Sequence, residues 1–268
     1  MNLPISGSTR LLGILADPVH HVQTPQGINR LLDAEGTDAV MVPLHVGPDG
    51  LAALVQGLRG LHNLDGFVVT VPHKSAMAAL CDALTPAAQR IGAVNVVHRT
   101  AQGQLLGDML DGEGFVAGLR RAGIEPAGRS AYLAGAGGAA SAIAFALAGA
   151  GVRRLTVANR SADKVQDLLA RIAAEFPAVA LAAGTRAPSG HDLVINATSL
   201  GLRPGDALPL DAAALAPGQT VAEIIMQPAV TPLLAAAEAR GCRVHGGAPM
   251  LQCQLAFMAR FMRSGSAR

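Results

Sequence analysis

The chain has 268 residues, half of them apolar, and carries 21 Lys+Arg against 19 Asp+Glu for a net charge of +2. That length suits one large domain or two modest ones, and the apolar share is enough for a sizeable core built from Leu, Val, Ile and Ala, since aromatics are scarce and Trp is absent. So small a charge, with no basic run, argues against nucleic acid as a partner, while Cys81, Cys242 and Cys253 lack metal-ligand or redox spacing and suit a reducing cytoplasm.

Strand-like apolar runs alternate with helical patterns, which predicts an α/β fold with a parallel sheet. Leu11–Ala16 reads as the first strand. A helix follows from Thr24-Pro25, with Thr24 as its N-cap and Pro25 at its first position. Ala39–Pro43 and Leu64–Val69 are further strands, with a helix over Leu51–Leu58 between them. Val94–Val97 and Gln104–Leu106 read as short strands around an Ala101-Gln-Gly103 turn. A second series starts after Asp111: a helix over Gly112–Ala122, a polar connection over Gly123–Arg129, and a strand over Ala131–Ala134. A Gly turn and a helix to about Leu147 come next, then a strand over Leu155–Ala158 and a long helix capped by Ser161. Leu193–Asn196 and Val221–Ile225 are later strands, and Met250–Met262 is a closing helix after the Gly246-Gly247 turn. The uncharged stretch Ser130–Val152 is long enough for a membrane span, but its clustered glycines read as strand, turn and helix. No basic region followed by a long apolar segment opens the chain, so no signal peptide is expected. The domain boundary is expected between about Leu106 and Gly112.

Two features carry chemistry. Only two of the basic residues are lysines, Lys74 and Lys164. In a chain that otherwise uses Arg for positive charge, a Lys closing the run Phe67-Val-Val-Thr-Val-Pro-His-Lys74 is a candidate catalytic amine, because a lysine ammonium can be tuned and can release its proton. The second feature is Tyr132-Leu-Ala-Gly135-Ala136-Gly137-Gly138-Ala139-Ala140-Ser141, a strand, glycine turn and helix start. Gly135 permits the turn, Gly137 and Gly138 let backbone N–H groups approach a pyrophosphate, and Ala140 stands where the third fingerprint glycine would be. The next strand ends in Asn159-Arg160-Ser161, with Lys164 one turn on. An acidic residue for a ribose 2′-hydroxyl is missing, and the cations favour a 2′-phosphate, so NADP is expected over NAD. The loop Asn196-Ala-Thr198-Ser-Leu-Gly201 follows a strand and is expected to lie over the cofactor.

Four segments, His21-x-x-Thr24-Pro25, Thr70-Val-Pro-His-Lys74, Ile91-Gly-Ala-Val-Asn95 and Gly107-Asp-x-x-Asp111-Gly112, join the glycine turn, Asn159-Arg160-Ser161, Asn196-Ala-Thr-Ser199 and Met250-Leu-x-x-Gln254 in one order. Together they resemble the shikimate dehydrogenase family, including its quinate/shikimate branches, over nearly the whole chain. The resemblance implies an N-terminal α/β substrate domain (1–108), a Rossmann-type, doubly wound NADP domain (109–245) and a C-terminal helix (246–268) returning to the first, with the active site in the cleft between domains. It implies Lys74 and Asp111 as catalytic pair and Val22, Thr24, Thr70, Asn95 and Gln254 at substrate positions. The glycine turn, Asn159, Arg160, Ser161, Lys164, Thr198 and Gly247 fall at cofactor positions. The expected partners are a small-molecule substrate and NADP, without membrane or nucleic acid, in a monomer or homodimer.

The chain departs from the pattern around the substrate. The family usually shows His-Ser-x-Ser-Pro, whose serines bind the shikimate carboxylate; here Val22 removes one hydroxyl and Thr24 keeps the other. Val68, Met109-Leu110 and Met226 stand at further polar family positions. Losing a hydrogen bond to a charged group costs about 1.5–3 kcal/mol, so a weaker grip on a carboxylate is expected. The alternatives are the same chemistry on a less polar alcohol, or a catalytically idle NADP-binding regulator. No HxxxH or HExxH spacing among the eight histidines suggests a metal, and no GxSxG elbow suggests a serine hydrolase.

Overall fold

The computed structural model describes residues 5–20 and 22–265. The chain forms two compact units, Met1–Leu110 with Gln254–Arg268, and Asp111–Cys253. The first contains β1 (Arg10–Ala16), α1 (Thr24–Ala34), β2 (Ala39–His45), α2 (Pro48–Arg59), β3 (Leu64–Val69), α3 (Lys74–Leu80), β4 (Ala83–Leu84), α4 (Pro86–Ile91), β5 (Val96–Arg99) and β6 (Leu105–Asp108). The second contains α5 (Asp111–Arg121), β7 (Ser130–Ala134), α6 (Gly138–Gly149), β8 (Arg154–Ala158), α7 (Ala162–Glu175), β9 (Ala180–Ala183), β10 (Leu193–Asn196), β11 (Thr220–Glu223), α8 (Pro232–Glu238) and β12 (Arg243–His245). The last helix, α9 (Ala248–Ser264), begins in the second unit and continues in the first.

The first unit's sheet has the order β2-β1-β3-β5-β6-β4. Its β2-β1-β3 half is parallel, and β5 runs antiparallel to both β3 and β6. The β5–β6 hairpin closes through Gly103, whose φ of +81° is a conformation only glycine adopts cheaply. The predicted strand Val94–Val97 starts instead at Val96. The Val94 N–H leaves the sheet for the Lys74 carbonyl at 2.9 Å, while Asn95 makes only single bonds to the flanking strands, its N–H donating to the Asp108 carbonyl at 2.9 Å and its carbonyl accepting from the Val69 N–H at 2.8 Å. A second correction concerns α1. Gln23, not Thr24, is the N-cap, it makes no side-chain cap bond, and Thr24 is already helical. Gln23 has φ −110° and ψ −7°, so the helical turn begins one residue early, and its carbonyl accepts from the Gly27 N–H.

The core of this unit gathers Leu12, Ile14, Ile28, Leu32, Met41, Val68 and Leu110 with Met258, Phe261 and Met262 of α9. Side chains of this size stabilise by about 1.5–3 kcal/mol each on full burial, so the α9 residues hold that helix to the sheet face. Met258 and Met262 are one turn apart, and Gln254 precedes Met258 by one turn on the same face.

The second unit's sheet, β12-β11-β10-β7-β8-β9, is parallel throughout. In the unit's own strand count this is the doubly wound order 3-2-1-4-5-6. Ser130–Val152 resolves into β7, a turn and the twelve-residue α6, and no helix among the described residues is long and apolar enough to cross a membrane. That helix is buried almost all round because α5 lies close against it: a Cβ on Gly112 would sit 2.2 Å from the Ala142 carbonyl oxygen. The predicted strand Val221–Ile225 ends at Glu223, whose carboxylate takes the N–H groups of Ile224 and Ile225.

Candidate active site

In a doubly wound sheet the ligand crevice opens at the carboxyl ends of the strands where the order reverses, here between β7 and β10. Gly135 follows β7 directly, with φ +119°, and a Cβ there would lie 2.8 Å from the Ala197 carbonyl oxygen after β10. The turn can therefore cross the end of β10 only as glycine. Gly137, the N-cap of α6, differs: nothing lies within 4 Å of where its Cβ would be, and its φ is −87°. Gly138 and Ala139 open α6, whose first amides lack helical acceptors and favour an anion.

Two recesses adjoin this turn. One, of about 470 Å³, is lined by Ala136, Gly137, Asn159, Arg160, Ser161 and Lys164. Ser161 caps α7 as expected, its hydroxyl accepting from the Lys164 N–H, and this cap fixes the orientation of the first turn that carries Lys164. The other recess, of about 590 Å³, shares Asn159 and Arg160 and reaches Thr198, Tyr132 and Arg186. Neither is lined by a carboxylate. Cations with no competing acid suit phosphates, and the open Gly137 cradle suits a close backbone approach, so these residues fit a phosphorylated dinucleotide.

The β10–β11 edge is tied by a buried network that sequence reasoning missed. The Glu223 carboxylate, fully buried, accepts from Asn196 Nδ2 at 3.0 Å, Thr231 Oγ1 at 3.1 Å and the Ile224 N–H at 3.0 Å. Burial pushes its pKa up, against the opposing pull of these donors. Asn196 Oδ1 in turn accepts from the Thr198 N–H and hydroxyl, at 3.0 and 2.7 Å. Thr198 is thus held through Asn196 by Glu223. The signal was present as a single acid inside the apolar run Val221–Ile225. Gly247 packs against this edge, since a Cβ there would come within 2.6 Å of Ile224 backbone atoms.

In the first unit, three predicted segments are stitched together. Lys74 opens α3, half-buried, just past the end of β3, and its carbonyl holds Val94. Asn95, 1% exposed, accepts from the Leu110 N–H through Oδ1 at 2.9 Å, one residue before Asp111. Thr70 is half-buried, its carbonyl accepting from the His73 N–H. His73 itself is buried, with Nε2 2.7 Å from the Val46 carbonyl oxygen. Asp111 begins α5 and is buried, as is Gln254 in α9. His21 lies outside the described residues. Val22 is partly buried against the core cluster that contains Val68 and Leu110, so three of the polar-to-apolar departures belong to the apolar core of this unit, and Thr24 is buried as well. Met109 is buried without joining that cluster, and Met226, half-buried, belongs to the other unit.

An all-parallel sheet in this order, with a glycine turn at its switch point, defines a Rossmann-type dinucleotide-binding protein, here joined to a mixed α/β unit. Residues 14–97 match the family model described as the shikimate dehydrogenase substrate binding domain, and residues 120–201 match that of shikimate / quinate 5-dehydrogenase. The shikimate dehydrogenase (NADP(+)) of Rubrobacter xylanophilus is 43% identical, covering 95% of this chain and 91% of its own. Among solved structures, the shikimate 5-dehydrogenase of Listeria monocytogenes, in complex with shikimate and NAD, has a TM-score of 0.87 at 30% identity, covering 99% of this chain and 95% of its own. The 5-ketofructose reductase of Gluconobacter sp. has 0.83 at 34%, covering 96% and 93%. The chain belongs to the shikimate dehydrogenase family.

Proposed function

We propose that this protein is an NADP-dependent oxidoreductase that interconverts a secondary alcohol and a ketone on a shikimate-related cyclic hydroxy acid, with Lys74 and Asp111 as its catalytic pair. One observation carries the reading: the Lys74 backbone holds Val94, and the next residue, Asn95, holds both Asp108 and the amide that precedes Asp111. Segments distant in sequence are thus tied to the backbone of Lys74, the residue that carries the lone lysine amine of this unit, which supports the pairing. The bound nicotinamide supplies the hydride acceptor. Gly135, Gly137, Arg160, Lys164 and Thr198 would hold the dinucleotide. Loss of hydride from an alcohol carbon requires loss of the hydroxyl proton. The Lys74 ammonium would stabilise the developing alkoxide and relay that proton, releasing one of its own to solvent as it takes up the hydroxyl's, and the Asp111 carboxylate would orient the amine. Asn95, Thr70, Thr24 and Gln254 offer donors and acceptors to ring hydroxyls.

Lys74→Ala should lower kcat with shikimate and NADP+ by about 10²–10⁴-fold, the usual contribution of a positioned acid–base group, while KM changes much less. Absorbance of the reduced cofactor reads the rate. Near-normal turnover by the variant would remove Lys74 from the chemistry. The apolar residues Val22, Val68 and Leu110 at positions the resemblance gives as polar support a second reading, the same reaction on a less polar alcohol with little activity on shikimate.

A further inference from the structure

We propose that Arg186, which belongs to none of the short motifs named above, reads the adenine base of the cofactor. The assignment rests on the reading of this unit as an NADP site. Arg186 follows β9 in a segment that crosses the carboxyl edge of the sheet. Gly184 makes the crossing possible, because a Cβ there would come within 2.6 Å of Thr156 Cγ2 on β8. Three further contacts fix the segment. Tyr132, whose phenol is kept neutral by burial, donates to the Thr185 carbonyl at 2.8 Å. The Arg186 carbonyl accepts from the Asp211 N–H at 2.8 Å, and Arg186 Nη2 donates to the Leu208 carbonyl at 2.7 Å.

Arg186 therefore stands on a braced loop, with one guanidinium donor spent on its own support and a planar fork of donors left over. Its recess, about 590 Å³, has the size of a ligand pocket and is floored by Ala134, Ala158 and Leu208. Lys164 is absent from that recess and lines the other one, beside the glycine turn, while Arg160 lines both. The division assigns phosphate to the Lys164 side and the flat, mostly apolar base to the Arg186 side. Adenine presents ring-nitrogen acceptors at its edge and a π-face, and a guanidinium can donate to the first and stack on the second.

The test separates base from 2′-phosphate. Dissociation constants of NADP+ and NAD+ are measured calorimetrically for the wild type, Arg186→Ala, Arg186→Gln and Lys164→Ala. Both Arg186 variants should weaken NADP+ and NAD+ by the same factor, about five- to twenty-fold, whereas Lys164→Ala should weaken NADP+ selectively. Arg186→Gln can retain a donor for Leu208, and the apo melting temperature of each variant shows whether the loop stays folded. Loss confined to NADP+ would make Arg186 a phosphate ligand and overturn the assignment, as would unchanged binding of both nucleotides. If Arg186→Ala weakens binding only together with a lowered melting temperature while Arg186→Gln binds normally, the role is structural and the proposal fails. A wild type that binds neither nucleotide overturns the cofactor reading itself.

Discussion

The two glycines of the cofactor turn should fail in different ways when each is changed to alanine. At Gly135 the backbone has φ +119°, and the new methyl would lie 2.8 Å from the Ala197 carbonyl oxygen, 3.1 Å from its carbon and 3.3 Å from the Ala140 Cβ. Holding a non-glycine residue in a sparsely populated backbone region costs about 1–3 kcal/mol, and overpacking against fixed atoms adds about 1–3 kcal/mol. Two of the three contacts are backbone atoms at the end of a central strand, so little can give. Gly135→Ala should therefore lose about 2–6 kcal/mol of unfolding free energy. At Gly137 the φ of −87° accepts alanine and no atom lies within 4 Å. Exchanging an N-cap glycine for alanine costs about 0.5–1 kcal/mol, offset by about 0.4–1 kcal/mol from a stiffer unfolded chain. Gly137→Ala should thus be nearly neutral for stability. Its methyl would instead occupy the space a pyrophosphate needs, raising the NADP+ dissociation constant at least about tenfold, or 1.4 kcal/mol. Urea unfolding of the apo protein and calorimetric titration with NADP+ read the two effects separately. A Gly137→Ala variant that binds NADP+ normally would refute this turn as the pyrophosphate cradle, and a Gly135→Ala variant as stable as the parent would refute the steric argument.

Restoring the family's serine in Val22→Ser should raise kcat/KM for shikimate by about tenfold or more, the worth of a hydrogen bond to a charged group; no gain in an initial-rate assay would mean that the carboxylate is not bound here. Asp192 gives a pH prediction. Its carboxylate accepts from the Ser130 N–H and hydroxyl, at 2.7 and 2.8 Å, and these bonds, with a smaller pull from Arg153, hold its pKa down at about 2. A lowered carboxyl pKa stabilises the fold above the ordinary range near pH 4, and that stabilisation disappears as pH falls through about 2. With the side chain 45% exposed, solvent screening leaves about 1 kcal/mol. Asp192→Asn should lose that amount in urea unfolding at pH 7, with the gap to the parent closing on acidification.

The strands at the centre of each sheet were legible because both faces are covered. The apolar cores Phe67-Val-Val69 and Leu193-Val-Ile195 make Leu64–Val69 and Leu193–Asn196 read as strands, and both end where expected. The elements that escaped notice lie where burial leaves no pattern. β9 is an edge strand whose Ala180, Ala182 and Ala183 are exposed, and β12, at the opposite edge, exposes Arg243 and Val244. An edge strand covered on one side at most carries little apolar periodicity, and four residues of alanine and leucine read as well for helix as for strand. The short α3 and α4 have too few turns to show a stripe.

The same difference governs the site. Lys74 was visible because its residue type is rare in this chain, and the glycine turn because backbone geometry restricts which residues can stand there. Glu223 and Arg186 announce themselves only through what surrounds them. An acid in an apolar strand becomes meaningful once Asn196, Thr231 and two backbone amides are found converging on it. Sequence spacing cannot bring together positions 196, 223 and 231, because the parallel pairing of β10 with β11 does so. A polar departure such as Val22 is legible as a change, yet its consequence depends on the core cluster it packs against, which contains Val68 and Leu110. One isolated hydroxyl lost among polar neighbours could be replaced by water. Val22 packs on a core cluster that buries Val68 and Leu110, so these side chains offer a water no partner and the lost bond to a carboxylate is not replaced from that side. The Val22→Ser gain should accordingly grow when Val68→Asn is added, and the two effects should exceed their sum, since each new polar group supplies a partner for the same anion.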